Sequence, residues 1–264
     1  LGTNRTVHVP QLLETAREAA LQAGKAIMDV YLSGNFGETT KQDTSPLTLA
    51  DKAAHDIITQ HLQPTGLPIL SEEGKHATFD VRKNWNRYWI IDPLDGTKEF
   101  LKRNGEFTVN IALMQQNRPI AGVVFAPVLD TLYFGSQQTG VYKQTGGETI
   151  SLLPLPERIT IAKLLQKPEV TVIASRTHLT PETVAFTDQF RKVQFTTMGS
   201  SLKFMLLAEN KADIYPRYAP TMEWDTAAAH AILHALGKGI YQTDLQTELE
   251  YNKPDLLNPS FVAF

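Results

Sequence analysis

Trp89-Ile90-Ile91-Asp92-Pro93-Leu94-Asp95-Gly96-Thr97-Lys98-Glu99-Phe100 governs how the rest of the chain is read. An apolar run of strand character ends in two aspartates three residues apart. Gly and Thr follow, then a segment of helical character. Side chains at such a strand end project into a cleft, and two carboxylates there offer the oxygen ligands that Mg²⁺ prefers. The Gly96-Thr97 turn opens a helix whose free N–H groups favour an anion such as phosphate. Cation and phosphate sites this close together point to phosphoryl chemistry. Taken alone, the string also reads as an Asp-Pro, Asp-Gly turn with Thr capping a helix. Acidic residues elsewhere weigh between the two readings.

The 264 residues suffice for a large core, as one big domain or two closely packed halves. A 42% hydrophobic and 20% charged composition is that of a soluble globular protein. The net charge of −3 gives no general attraction to nucleic acid or anionic lipid, so an anionic substrate must be handled locally. With no cysteine, thiol nucleophiles, disulfides and Cys-ligated zinc are excluded. No apolar run approaches the ~18 residues of a membrane span, and no signal-peptide core is visible near Leu1. The expected location is the cytoplasm; whether residues precede Leu1 is left open.

Residues 9–31 read as an amphipathic helix through Leu12, Leu13, Ala16, Ala19, Ala20, Ala23, Ile27, Val30 and Tyr31. A polar loop (34–44) with Lys41 and Asp43 leads to a second helix expected over 46–61. Strands are expected over 68–71, 88–91, 107–114, 120–125 and 131–135, the last three consecutive and antiparallel. The Pro-rich stretch 152–156 is the best boundary, dividing a single domain into an α+β half (1–150) and an α/β half (151–264). Beyond it, strand and helix alternate: strand 170–175, helix 181–192, strand 193–196, helix 200–210, strand 212–215 and helix 224–236. The order suggests stacked layers of helices and sheets.

Further acids could join Asp92 and Asp95. Asp51 lies early in the second helix, Glu72 and Glu73 follow a strand, and Asp225 opens the alanine-rich helix, whose positive end favours its ionised form. Together with these, Ser71-Glu72-Glu73-Gly74, Trp89–Thr97 and Glu223-Trp224-Asp225-Thr226-Ala227-Ala228 resemble the inositol monophosphatase superfamily of Mg²⁺-dependent, lithium-sensitive phosphatases. The finer resemblance is to its bacterial 3′(2′),5′-bisphosphate nucleotidases. It rests on Lys98-Glu99-Phe100, Arg103–Asn110, Gly199–Lys203, Tyr215-Pro216-Arg217, Pro220–Glu223 and Tyr251–Pro259. Ala229-His230 departs slightly from the family, which commonly has Gly-Gln or Gly-His there.

The resemblance implies an αβαβα sandwich with an antiparallel N-terminal sheet and the metal site where the two halves meet. It implies two Mg²⁺, with a third allowed. Glu72, Asp92 and the Leu94 carbonyl would hold one ion; Asp92, Asp95 and Asp225 would hold the second. Thr97 with Asp51 resembles the family's water-activating pair, Gly96 and Thr97 would bind phosphate, and Asp225 would lie near the leaving oxygen. His178, Ser200, Lys203 and Arg217 resemble contacts to the 5′-phosphate and nucleoside. The implied reaction is in-line attack of activated water on the 3′-phosphate of adenosine 3′,5′-bisphosphate, with its sulfated relative as a further substrate. In the family this serves sulfate assimilation and nucleotide recycling. Rival readings are an inositol monophosphatase and a non-catalytic Mg²⁺- or phosphate-binding regulator. Lys98-Glu99-Phe100 weighs against the first, where Thr-Asn-Phe is usual, and the intact acidic set weighs against the second. No nucleic-acid polymer and no obligate protein partner are implied, and no amphipathic anchor is visible, although peripheral association with the inner membrane stays open.

His230 and His234 stand at i, i+4 without the Glu of the H-E-x-x-H zinc motif and read as helix-face histidines. Trp85, Tyr88 and Trp89 read as core aromatics beside the metal strand. No G-x-S-x-G, P-loop or G-x-G-x-x-G is present.

Overall fold

The computed structural model describes residues 8–41, 46–174 and 179–264. Helix α1 (Val9–Ser33) buries Leu12, Ala16, Ala19, Ala23, Ile27 and Tyr31 along one stripe, as their spacing requires. The second helix, α2 (Leu49–Leu62), starts later than the expected residue 46. Residues 46–47 form a short strand, β2 (Pro46–Leu47), against β1 (Thr39–Thr40), and Thr48 then caps α2 through the N–H groups of Ala50 and Asp51. A Thr whose hydroxyl takes those N–H groups adopts extended backbone, so the helix cannot begin before it.

A seven-stranded sheet follows in sequence order: β3 (Ile69–Ser71), β4 (Arg87–Asp95), β5 (Thr108–Gln115), β6 (Arg118–Ala126), β7 (Thr131–Ser136), β8 (Gly140–Thr145) and β9 (Glu148–Leu152). Only β3 and β4 pair in parallel; the remaining neighbours are antiparallel. Strand alternation divides the side chains between two cores. Trp89, Ile91, Ile111, Leu113 and Val123 meet α1 and α2, whereas Tyr88, Ile90, Ala112, Met114 and Val124 face the other way. Trp89 therefore does not cluster with its neighbours in sequence: Trp85 and Tyr88 meet with tilted rings 5.4 Å apart, and Trp89 packs on the opposite face. The hairpin β8–β9 was not expected. Its strands are mostly polar, because β9 is a sheet edge exposed on both faces over Glu148–Ser151, so no apolar run announced it. Leu152 accordingly closes a strand rather than opening a connector.

Short helices α3 (Phe79–Arg82) and α4 (Thr97–Leu101) flank β4. The chain beyond 152 supplies α5 (Ile161–Gln166), β10 (Val170–Ile173), α6 (Pro181–Thr187), β11 (Val193–Thr196), α7 (Leu202–Ala208), β12 (Tyr215–Arg217), α8 (Glu223–Ala235), β13 (Ile240–Gln242) and β14 (Phe261–Ala263). Strands β10 and β11 are parallel, β14 lies between β12 and β13, and a bridge from Val172 to Ile214 joins the two groups. The strand expected over 212–215 thus sits at Tyr215–Arg217. The helix expected over 181–192 ends at Thr187, where the Thr187 hydroxyl bonds back to the Val184 carbonyl. Helix α5 and strands β13 and β14 were not expected, being too short for a periodic signal.

The layers stack as α1 and α2, the large sheet, α7 and α8, the second sheet, and α5 with α6. This is the expected αβαβα sandwich. Helix α8 lies directly on the large sheet at Gly122, where a Cβ would stand 2.2 Å from the Ala228 carbonyl oxygen. Only glycine admits so close an approach. It brings the first turn of α8, with Asp225, over the end of β4.

Candidate active site

In a regular strand Asp92 and Asp95 would point to opposite faces, since a spacing of three is odd. The structure resolves this with a bulge. Asp92 pairs with Asn110 and Asp95 with Thr108, so β4 spans three steps where β5 spans two. The extra residue falls at Pro93-Leu94, and Pro93 needs no ladder hydrogen bond. Both carboxylates then turn to one cleft. The next residue, Gly96, takes a φ of +90° and begins α4 at Thr97.

Asp92, Asp95 and Asp225 converge there, with one carboxylate oxygen of each within 4.8 Å of the others. Asp92 is buried and also within hydrogen-bond reach of Glu72 and Asp225. Burial, followed by the charges of Glu72, Asp95 and Asp225, pushes the Asp92 carboxyl well above the usual range. Burial and Asp95 likewise push Asp225 up to about 8. Carboxylates this crowded cannot all ionise unless a cation sits among them. An all-oxygen donor set from three or four acids fits Mg²⁺. Among the described residues, the Asp95 carboxylate takes its hydrogen bonds on Oδ2, from Ser200 Oγ (2.5 Å), Ser201 Oγ (2.8 Å), Ser201 N–H (2.9 Å) and Asn110 Nδ2 (3.3 Å). That arrangement leaves Oδ1 for a cation.

Thr97 and Asp51 are brought together as the resemblance implies, the Thr97 hydroxyl donating to Asp51 Oδ1 at 3.0 Å. Asp51 Oδ2 is held by Thr48 N–H (2.8 Å) and the Thr48 hydroxyl (2.6 Å), a capping box that locks the carboxylate in place. Burial raises the Asp51 pKa against these hydrogen bonds, a direction that suits a proton acceptor. Glu72 adjoins the group through Asp92, while its Oε1 accepts from Lys41 Nζ at 2.9 Å. Lys41 also bonds Glu73; burial alone would lower the lysine, but the two glutamates outweigh it and raise it.

Next to Asp95 and Gly96 opens a cleft of about 400 Å³, whose lining also includes Lys203 and Arg217. A smaller hollow joins those two basic groups to Asp225. Burial, then the neighbouring Arg217, lowers the Lys203 pKa. Ser200 lines both spaces, and its hydroxyl bonds Asp95 and Thr108. Leu94 is buried in the bulge, its N–H donating to Asp92 Oδ1 at 3.2 Å. His178 lies outside the described residues. On α8, His230 is buried against Tyr251 and His234 meets Glu248, so neither approaches the three acids as a ligand.

Thr48, Asn110 and Ser201 orient the acids and were not singled out from the sequence. For Asn110 a signal existed: an amide within the apolar run Val109–Leu113 is costly unless hydrogen-bonded. Thr48 and Ser201 precede helices and look like ordinary caps.

The model of the inositol monophosphatase family matches residues 8–263. The 3′(2′),5′-bisphosphate nucleotidase CysQ of Salmonella typhimurium is 44% identical over 254 residues, covering 95% of this chain and 98% of that protein. Its counterpart in Escherichia coli K12 is 42% identical over 255 residues, with the same coverage. Among solved structures, CysQ of Bacteroides thetaiotaomicron superimposes with a TM-score of 0.82 at 44% identity, covering 97% of each chain. Inositol monophosphatase II of Staphylococcus aureus shares the fold, with a TM-score of 0.72 at 22% identity over 96% of this chain and 88% of that one. With its sandwich, its convergent acids and these relatives, the chain belongs to the inositol monophosphatase family.

Proposed function

We propose that the protein is a Mg²⁺-dependent 3′(2′),5′-bisphosphate nucleotidase that converts adenosine 3′,5′-bisphosphate to adenosine 5′-phosphate and inorganic phosphate. The observation that carries this reading is the shared cleft. Asp95 and Asp225, two of the acids that would hold a cation, line the same connected spaces as Lys203 and Arg217, so a substrate with two phosphates can meet both sets. Nucleotidases of this specificity are also the relatives most similar in sequence among those described above.

Glu72, Asp92 and the Leu94 carbonyl would hold one Mg²⁺, and Asp92, Asp95 and Asp225 a second, with a third ion allowed. Mg²⁺ so held acidifies an attacking water and neutralises charge on the phosphoryl group. Thr97 Oγ1 orients that water and relays its proton to Asp51 Oδ1, whose other oxygen is fixed by Thr48. The Gly96 and Thr97 N–H groups receive the 3′-phosphate, and Asp225 lies beside the leaving ester oxygen. Lys203 and Arg217 receive the 5′-phosphate, with Ser200 and His178 completing the nucleoside side. The sulfated relative of the substrate would fit the same groups. The protein acts on this small molecule in the cytoplasm without an obligate protein partner.

The test is phosphate release with Mg²⁺, comparing adenosine 3′,5′-bisphosphate with inositol 1-phosphate at equal concentration. Strong preference for the nucleotide is expected, together with near-complete loss of turnover in Asp92→Asn. Preference for inositol phosphate would overturn the substrate assignment. Full activity of Asp92→Asn would overturn the metal assignment.

A further inference from the structure

Helix α8, which carries Asp225, has Met222 at its N-cap, a residue with no side-chain oxygen to cap a helix. The cap comes from elsewhere in the chain. Residues 251–258 cross the start of α8, and the Leu256 carbonyl accepts the Glu223 N–H at 3.0 Å, satisfying a donor that the helix cannot satisfy itself. Asn258 ties down the turn before the helix. Its backbone N–H reaches the Thr221 carbonyl (2.8 Å), and its side-chain Nδ2 reaches the Met222 carbonyl (2.9 Å), Thr226 Oγ1 (3.1 Å) and Thr221 Oγ1 (3.2 Å). Met222 in turn donates its N–H to Asp225 Oδ2 at 2.7 Å. The amide of Asn258 therefore grips the same residue that orients the carboxylate of Asp225.

The strap has two further anchors. Glu223, fully buried, accepts the N–H groups of Asn252 (2.7 Å) and Lys253 (3.1 Å) and the Lys253 ammonium (2.6 Å). Arg82, also buried, donates to Asn252 Oδ1 at 2.6 Å, and Asn252 returns a bond to the Arg82 carbonyl at 2.7 Å. Arg82 closes the segment that follows Glu72. The strap thus ties the α8 end bearing Asp225 to α3, the helix that follows Glu72 in the chain.

We infer that residues 251–258 are a positioning element for the metal centre, with Asn258 its principal positioning residue and Glu223 its buried anchor. The inference rests on the metal reading above and adds a group that touches neither substrate nor cation. Loss of the Asn258 amide frees the Thr221-Met222 turn, and the Asp225 carboxylate loses its aim at Asp92 and Asp95. The cost falls on cation affinity. Once the cation is bound, its own bonds to the acids restore their placement.

The experiment measures Mn²⁺ binding to the metal-stripped full-length protein by calorimetry, alongside thermal melting and turnover at saturating Mn²⁺. Asn258→Leu keeps the side-chain shape and removes the donor. It should raise the Mn²⁺ dissociation constant roughly 10–100-fold, the usual range for groups that orient metal ligands. Turnover at saturating Mn²⁺ should stay close to that of the parent protein. An unchanged dissociation constant, whatever the melting temperature does, overturns the proposal, as does lost turnover at saturating Mn²⁺ with unchanged binding. Should Asn258→Leu fail to fold, Glu223→Gln, which weakens the anchor and keeps its shape, is read by the same criteria. Parent protein that binds Mn²⁺, against Asp92→Asn that does not, shows the metal reading standing when the strap proposal falls. Parent protein that binds no Mn²⁺ overturns both.

Discussion

Asp51→Asn isolates the proton relay from the fold. The parent carboxylate accepts three hydrogen bonds: two on Oδ2 from Thr48, and one on Oδ1 from the Thr97 hydroxyl at 3.0 Å. An asparagine must keep its single oxygen on Thr48, because the Thr48 N–H can only donate. Its NH₂ then faces Thr97 and reverses the polarity of that bond. The Thr97 hydroxyl becomes an acceptor, turns its own proton away, and no acceptor remains for the proton of the attacking water. Loss of a positioned general base costs about 10²–10⁴-fold in rate, roughly 3–5 kcal/mol in the barrier. The structural cost is smaller. The oxygen that faces Thr48 is retained, so the weakened capping box should lower stability by only about 1 kcal/mol. Steady-state phosphate release with Mg²⁺ gives the first quantity, and thermal or urea unfolding the second. A large fall in kcat with a small fall in stability is expected, and Thr97→Val should repeat it. Asp51→Asn that keeps more than about a tenth of parent kcat would refute the relay, since the loss of a positioned general base costs at least about a hundredfold.

In the metal-free protein, burial and Asp95 push Asp225 up to about 8. A carboxyl raised above its unfolded value contributes stability while protonated and loses it as pH rises through the folded pKa. Melting temperatures of stripped protein should therefore fall from about pH 5 to about pH 8, and Mg²⁺ should reverse the fall; a slope unaltered in Asp225→Asn would contradict this. Lys203→Ala should raise KM for the bisphosphate nucleotide roughly 10–100-fold, as expected for a lost charged hydrogen bond, and should leave a simple monophosphate far less affected. Equal effects on both substrates would remove Lys203 from the specificity site. Gly122→Ala drives a Cβ into the Ala228 carbonyl at 2.2 Å, so α8 must shift. Overpacking of this kind costs about 1–3 kcal/mol, and because α8 carries Asp225, Mg²⁺ half-saturation should rise as the melting temperature drops. Unchanged half-saturation would show that Asp225 does not depend on that contact.

What the sequence determined by itself was the identity of the acids and the main layers. Carboxylates at element ends, helical periodicity over 9–31 and alternating apolar runs are local signals, set within a few residues of chain. Asp92, Asp95, Thr97 and Asp225 were legible for that reason, and so was the order of strands around 107–135. Tertiary structure alone decided that Asp92 and Asp95 share a face. Spacing puts them on opposite sides, and only the pairing of β4 with β5 shows the bulge that reverses one of them. It also decided which polar residues serve the acids. Asn110, Thr48 and Ser201 act through partners fixed by packing, Ser201 standing 106 positions from Asp95 along the chain. Hydrogen bonds of that range carry no local pattern, because side chains meet there only after two sheets and the helices between them have packed. The strap over α8 is the same case: Asn258 and Met222 are 36 positions apart, and neither alone says that one holds the other.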